Sequence, residues 1–204
     1  MVSLCVTHCA DEDISWVEDV YGDLVIYNKG DEWKYPYPRL DAPKIKNEVD
    51  TYLRAIIDLY DYMPNYVWIS FLRPNCRDYC PDVTSYISIN LYNQNDPEKI
   101  ILLSEKLINY NLEEVNTSLS EDQINLLHKV IEVMENFGIQ IKDKAYPCAF
   151  GSQYMLSVTH ILDKPKEWWI ALHQLAIALY EIYEDAISGI FEILWPPIFQ
   201  HTMI

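Results

Sequence analysis

Tyr66-Val67-Trp68-Ile69-Ser70-Phe71-Leu72, followed at once by Arg73-Pro74-Asn75-Cys76-Arg77-Asp78-Tyr79-Cys80-Pro81-Asp82, is the stretch on which the fold turns. Its first part is rich in β-branched and aromatic side chains. It is entered through Pro64-Asn65 and left through a run of proline, asparagine and aspartate, so it reads as a strand that empties into a loop. A strand without regular polar alternation is covered on both faces, as in the sheets of α/β proteins. Ligands of such sheets gather outside the carboxyl ends of the strands, which makes 73–84 the segment where chemistry is expected.

Working outward, Val49, Tyr52, Leu53, Ile56, Ile57, Tyr60 and Met63 recur at three- and four-residue spacing and predict a helix over 45–63. The runs 2–7 and 23–27 are short and apolar, and a helical connection over 13–20 joins them into a β-α-β opening. After Asn28-Lys29-Gly30, the prolines at 36, 38 and 43 predict a surface loop, with Trp33, Tyr35 and Tyr37 exposed as a lid or partner surface. Downstream, 85–91 fits either an alternating or a helical pattern, and 97–109 reads as a helix. Ser120-Glu121-Asp122-Gln123 has the form of a capping box, and the helix it opens ends at Phe137-Gly138. A late strand is expected over 150–156. Helices are expected over 166–184 and 187–194, the last one stopped by Pro196-Pro197, with Trp168, Trp169 and Trp195 in the core. The expectation is one α/β domain over 1–204, with a mixed sheet in the N-terminal half flanked by helices and a helix-rich C-terminal half.

Composition narrows the partners. Acidic residues outnumber basic ones 31 to 15, and the net charge of −16 repels nucleic acid and anionic lipid over most of the surface. A phosphorylated ligand therefore needs the few Lys and Arg residues, or a divalent cation, concentrated at one place. The start of the chain shows no basic and apolar leader pattern, and the apolar run 168–180 is shorter than the roughly 20 residues that cross a bilayer, which predicts a cytoplasmic protein without a membrane span. Five cysteines predict reduced thiols. Cys5 with Cys9 and Cys76 with Cys80, assisted by His8, form a conceivable zinc set, but the C-x-x-x-C spacing is loose and Cys5 lies inside a strand, which argues against zinc. No G-x-S-x-G, Walker loop, G-x-G-x-x-G or H-E-x-x-H occurs, which lowers the hydrolase, NTPase, Rossmann oxidoreductase and zincin readings.

Several ordered blocks resemble the domain of unknown function 3431 family of fungi and viruses. Glu12-Asp13-Ile14-Ser15-Trp16 and Val25-Ile26-Tyr27-Asn28-Lys29-Gly30 are similar to its E-D-L-S-W and I-Y-N-K-G segments. Glu48, Thr51-Tyr52-Leu53, Tyr60-Asp61, Pro64 and Phe71-Leu72 follow its next stretch. Gly151-Ser152-Gln153-Tyr154, Trp168-Trp169 and Glu192-Ile193-Leu194-Trp195 follow its C-terminal blocks. The resemblance implies a glycosyltransferase of the GT-A type, moving a sugar from a nucleotide-sugar donor to a protein or glycan acceptor. The departures are local: Lys44-Ile45-Lys46-Asn47-Glu48 lacks the family's glycine and arginine, and Phe71-Leu72-Arg73-Pro74 stands where F-L-Q-G is found. Because these changes fall at strand and helix ends, a non-catalytic module that keeps the fold is the alternative.

Such an enzyme must hold a nucleoside diphosphate, neutralise it as it leaves, and deprotonate an acceptor hydroxyl. By analogy with the fold, Thr7 and His8 face the base, and Asn28 and Lys29 approach the ribose or phosphate. Arg73 and Arg77 would clamp the diphosphate, or instead pair with the neighbouring aspartates. No D-x-D follows a strand, so Asp78 and Asp82 are the candidate ligands for Mn²⁺ or Mg²⁺, with Asp78 essential to turnover. Glu192 is the candidate general base, its pKa raised by burial beside Trp195, or else an anchor for a helix end.

Overall fold

The computed structural model describes residues 2–8, 12–20, 22–30, 33–42, 48–92, 100–105, 107–110, 121–139, 141, 146–184 and 186–200. Eight strands are present among them: β1 (Val2–His8), β2 (Asp23–Asn28), β3 (Arg39–Asp41), β4 (Trp68–Leu72), β5 (Ile101–Leu102), β6 (Leu107–Tyr110), β7 (Tyr146–Ala149) and β8 (Tyr154–Ser157). Six form one mixed sheet in the order β3-β2-β1-β4-β8-β5, and β6 pairs with β7 in a separate ribbon. β1 lies parallel to both β2 and β4, with His8 opposite Asn28 and Val6 opposite Leu72. β8 runs antiparallel to β4 and pairs Tyr154 with Phe71. The chain builds outward from β1 through β2 to β3 and then returns to place β4 on the other side of β1. The order of strands thus reverses between β1 and β4, the place where open α/β sheets leave a crevice.

The helices are α1 (Glu48–Leu59), α2 (Val83–Tyr92), α3 (Glu121–Asn136), α4 (Thr159–Leu162), α5 (Lys166–Tyr183) and α6 (Ala186–Phe199). Neighbouring strand residues serve opposite faces, as the pleat requires. Cys5, Tyr27, Ile69, Phe71, Tyr154 and Leu156 pack with α1, α3, α5 and α6, around the buried rings of Tyr52, Trp169, Trp195 and Phe199. Val6, Ile26, Trp68, Leu72 and Met155 face the other way, toward Trp16 and Val17 of a 3₁₀ turn (Ser15–Asp19), Cys76, Cys80, and Val83 and Ile87 of α2. No helix among the described residues is long and apolar enough to cross a membrane.

Four expectations are corrected. The described part of the segment 97–109, residues 100–105 and 107–109, is not helical: Ile101 and Leu102 pair with Met155 and Tyr154, and residues 107–110 form β6. An apolar run this short is captured by whichever sheet edge is open beside it. Within the proline-containing loop, Arg39–Asp41 pairs alongside β2, clear of the prolines at 36 and 38, whose missing donors would break a ladder. Trp33, Tyr35 and Tyr37 are not an exposed lid: they are half-buried against the second core, and Trp33 and Tyr35 set their rings edge-on to His8 at 5.3 and 5.6 Å. Segment 85–91 is helical, as part of α2. The proposed cap Ser120 and residues 43–47 lie outside the described residues.

The fourth correction concerns Pro196-Pro197, which do not stop α6. Each proline lacks the N–H that would reach back four residues, so the carbonyls of Glu192 and Ile193 lose their helical donors. Side chains from the strands replace them. Tyr154 Oη donates to the Glu192 carbonyl at 3.3 Å, and Cys148 Sγ to the Ile193 carbonyl at 3.6 Å. The orphaned acceptors thereby fasten α6 onto β7 and β8, at the end of the sheet where β4 finishes.

Cys5, Cys76, Cys80 and Cys148 are all buried as free thiols. Cys5 faces the first core and Cys76 and Cys80 the second, so they stand on opposite sides of the sheet and do not form one metal set; Cys9 lies outside the described residues. Burial raises the pKa of all four, to about 12 for Cys76 and Cys148. A thiol held protonated and out of solvent is a poor nucleophile. Native protein treated with an aromatic disulfide reagent is expected to leave these four unlabelled on the timescale in which the denatured chain reacts completely, as peptide mapping by mass spectrometry would show. Rapid native labelling of Cys148 would contradict its place under α6.

Candidate functional site

The carboxyl ends of β1 and β2 bring four of the expected residues together. Thr7, His8, Asn28 and Lys29 are all buried. Asn28 is fixed by its own loop: its Nδ2 donates to the Gly30 carbonyl at 2.7 Å, and its Oδ1 accepts from Gly30 N–H at 3.2 Å. That orientation makes Oδ1 an acceptor for His8, whose Nδ1 lies 2.8 Å away and must carry the proton. His8 Nε2 is buried without a hydrogen-bond partner among the described residues. Lys29 turns onto α1, where its Nζ lies 3.6 Å from Asp50. Asp50 also receives Arg54 at 3.2 Å and His173 Nε2 of α5 at 2.8 Å. Burial opposes its ionisation, but the hydrogen bond from His173 and the charges of Lys29 and Arg54 outweigh it and lower its pKa.

The end of β4 carries a second charged group. Arg73, half-buried, follows Leu72 directly and feels Glu48 from the start of α1 and Glu192 from α6. Burial works against its charge, and Glu48, Tyr52, Tyr79 and Glu192 more than restore it. Glu192 is half-buried. Burial raises its pKa and the Glu48 carboxylate adds to the effect, while the Gly151 backbone N–H and the Arg73 charge pull the other way without cancelling it. The site therefore holds one guanidinium within electrostatic range of two carboxylates, one of them, Glu192, biased toward its protonated form. Tyr52 Oη and Trp195 Nε1, whose rings lie 5.8 Å apart, are buried nearby without hydrogen-bond partners among the described residues.

A tight turn completes this end of the sheet. Phe150 to Gln153 lead into β8 and carry two consecutive left-handed residues, Gly151 at φ +86° and Ser152 at φ +56°. Gly151 is required twice over, for its φ and because a Cβ there would sit 2.8 Å from the Tyr79 ring. Tyr79 in turn stacks edge-on with Phe150 at 5.4 Å.

The remaining expected residues stand apart from this group. Arg77 pairs at the surface with Asp19 at 2.9 Å. Asp78 is exposed and lines a cavity of about 280 Å³ with Glu12, Asp13, Trp16, Asn75 and Arg77. Asp82 is exposed at the start of α2. Among the described residues, no three His, Cys, Asp or Glu side chains gather to hold a metal ion.

Glu48 and the turn at 151–153 were missed as functional residues. A buried acid opening the helix that returns to β4 is the signal that marks Glu48. A glycine followed by two polar residues at the head of an apolar strand marks the turn. Compared with family models, curated proteins and solved structures, the chain matches none of them.

Proposed function

We propose that this protein is a nucleotide-sugar glycosyltransferase on a GT-A-like fold, with Arg73 facing the donor diphosphate and Glu192 the acceptor hydroxyl. The observation that carries the reading is that Arg73, at the carboxyl end of β4 beside the reversal of strand order, lies within electrostatic range of Glu48 and Glu192. The ordered resemblance of the sequence blocks to a GT-A-type family supports it.

In an inverting transfer, the acceptor oxygen bonds to the anomeric carbon as the bond from that carbon to the diphosphate oxygen breaks. The acceptor proton passes to the Glu192 carboxylate, and the charge gathering on the diphosphate is met by the Arg73 guanidinium. Asp78 and Asp82 offer two exposed carboxylates with no third ligand gathered beside them among the described residues, so no step is assigned to a metal. Thr7 and His8 remain the candidates for the base. Lys29 is committed to Asp50, which removes it as a ready phosphate ligand.

That commitment, with Arg77 engaged by Asp19, favours the second reading of a non-catalytic module. Melting curves with UDP- and GDP-sugars, with and without Mn²⁺, separate the two. A donor at about a hundred times its Kd adds about 2.7 kcal/mol, roughly 5–10 °C for a chain of this size, and Arg73→Met is expected to abolish most of the shift. A melting temperature that no donor raises, with or without Mn²⁺, would leave only the non-catalytic reading.

A further inference from the structure

The carboxylate of Asp50 takes no part in the proposed transfer, yet three basic side chains converge on it. Lys29 comes from the end of β2, Arg54 from the next turn of α1 and His173 from α5. Arg54 Nη2, at 3.2 Å, and His173 Nε2, at 2.8 Å, meet at the same oxygen, Oδ1. Asp50 is 1 % exposed and its pKa is lowered, so it is ionised and can only accept; the proton of the pair sits on His173 Nε2. That leaves the lone pair of the imidazole on Nδ1. His173 keeps 17 % exposure, and its Nδ1 has no hydrogen-bond partner among the described residues and is not sealed from solvent. Arg54, 29 % exposed, has an unmet donor, since its Nε is buried without a partner among the described residues. The group is thus a nucleophilic nitrogen, with a carboxylate to orient it and a guanidinium next to it that can receive oxyanion charge.

Charge does not oppose an anion here. Lys29 and Arg54 offset Asp50 and Asp58, the latter two turns further along α1 and bound by Tyr27 Oη at 2.9 Å. His173 is moreover the only titratable side chain of α5 between Glu167 and Tyr180. In a chain of net charge −16, a locus whose cations match its carboxylates is one that a phosphoryl donor can approach.

We infer that His173 is a phosphoryl-acceptor site, its Nδ1 taking a phosphoryl group from a small high-energy donor such as an acyl phosphate or a phosphoramidate. The lone pair of Nδ1 forms the new bond to phosphorus as the bond from phosphorus to the leaving group breaks. The leaving group departs with that electron pair, as a carboxylate from an acyl phosphate or as ammonia from an N-protonated phosphoramidate. Positive charge that develops on the ring is met by Asp50, and the phosphoryl oxygens are met by Arg54. Nε2 keeps its proton throughout, so the hydrogen bond to Asp50 survives in the phosphorylated protein. Neither Arg73 nor Glu192 enters the step, which stands apart from the glycosyltransferase reading.

The experiment treats the full chain with potassium phosphoramidate at neutral pH and follows the mass gained with time. Peptide mapping under alkaline conditions locates the group, and phosphorus NMR separates Nδ1 from Nε2 phosphohistidine. His128, exposed on α3, is the internal reference, while His8 and His160 are buried. His173 is expected to react at Nδ1 at least about tenfold faster than His128, the advantage of a nucleophile held in one tautomer beside a guanidinium. Arg54→Met is expected to slow His173 by about a hundredfold, as the loss of an oxyanion donor does. Asp50→Asn keeps an acceptor for Nε2 and gives up the charge, and is expected to slow it by at least about tenfold. In both variants His128 should react at its wild-type rate. A melting curve of each variant establishes that it is folded, and Arg54→Met carries the test if Asp50→Asn is not.

A wild type in which His173 and His128 react equally, in which His173 takes the group on Nε2, or in which His173 stays unmodified overturns the inference. A folded Arg54→Met variant whose His173 reacts at the wild-type rate overturns it as well, since that rate would belong to any exposed imidazole.

Discussion

Replacing Asp50 with alanine is expected to remove about 3–5 kcal/mol of folding stability and to lower the melting temperature by roughly 6–20 °C. The carboxylate is 1 % exposed and is the counter-charge of Lys29, whose side chain is 3 % exposed. Without it the lysine stays in a poorly solvated place with its paired anion gone, and breaking one partner of a buried pair is far more costly than the net worth of the pair. The same change removes the acceptor of His173, so α5 loses its polar tie to α1. Asp50→Asn keeps an oxygen at the 2.8 Å contact with His173 and gives up only the charge, so its loss is expected to be smaller. Acid titration supplies an independent check. The pKa of Asp50 is lowered by folding, so its contribution is fully present above the ordinary value of 3.8 and disappears as the pH falls through the depressed folded value. The wild type should therefore lose stability below about pH 4 with a slope that Asp50→Asn lacks. An alanine variant within 1 kcal/mol of the wild type by chemical denaturation would show that Lys29 does not depend on the Asp50 counter-charge.

The same network shows where sequence reasoning succeeds and where it stops. β4 was legible because its residues, Trp68–Leu72, are all buried, so their composition alone carries the signal, and β1, β2, α1 and α5 were legible through periodicity or short apolar runs. β5 was not, since Ile101-Leu102 has no local reason to be extended. Only the open edge of β8 makes it so. Proline is a local stop signal, and α6 overrides it because Tyr154 and Cys148, far away in sequence, replace the lost donors. At the site, Arg73 stood out by its place at the end of a strand and Glu192 as the acidic residue of the C-terminal block, and the fold brings both within electrostatic range of Glu48. Lys29 read as a phosphate contact for the same positional reason, yet Asp50 one turn into α1 holds it. A strand-end cation looks the same in sequence whether a ligand or a buried aspartate balances it. Asp78 and Asp82 illustrate the converse, since acidic spacing in a loop does not say whether two carboxylates converge or face solvent.

Glu192→Gln is the change in which stability and activity are expected to move in opposite directions. As general base, Glu192 takes the acceptor proton, and the neutral amide cannot. The turnover number is expected to fall by about 10²- to 10⁴-fold, while KM for the donor changes little because Arg73 is untouched. The folded protein, by contrast, gains. Burial and the nearby Glu48 raise the pKa of Glu192 above 4.5, so its ionised form is disfavoured in the native state. Its proton-linked contribution is fully present below the unfolded value and is lost as the pH rises through the raised folded value. At neutral pH the wild type therefore carries a destabilised carboxylate, and the glutamine variant, neutral at every pH, should melt at an equal or higher temperature. On acidification the difference should shrink, because the wild-type carboxyl protonates. Wild-type turnover should fall over the same pH range in which that difference closes, since one protonation governs both. A variant that unfolds earlier than the wild type identifies Glu192 as an anchor of α6, and one that keeps turnover within about tenfold of wild type excludes it as the base.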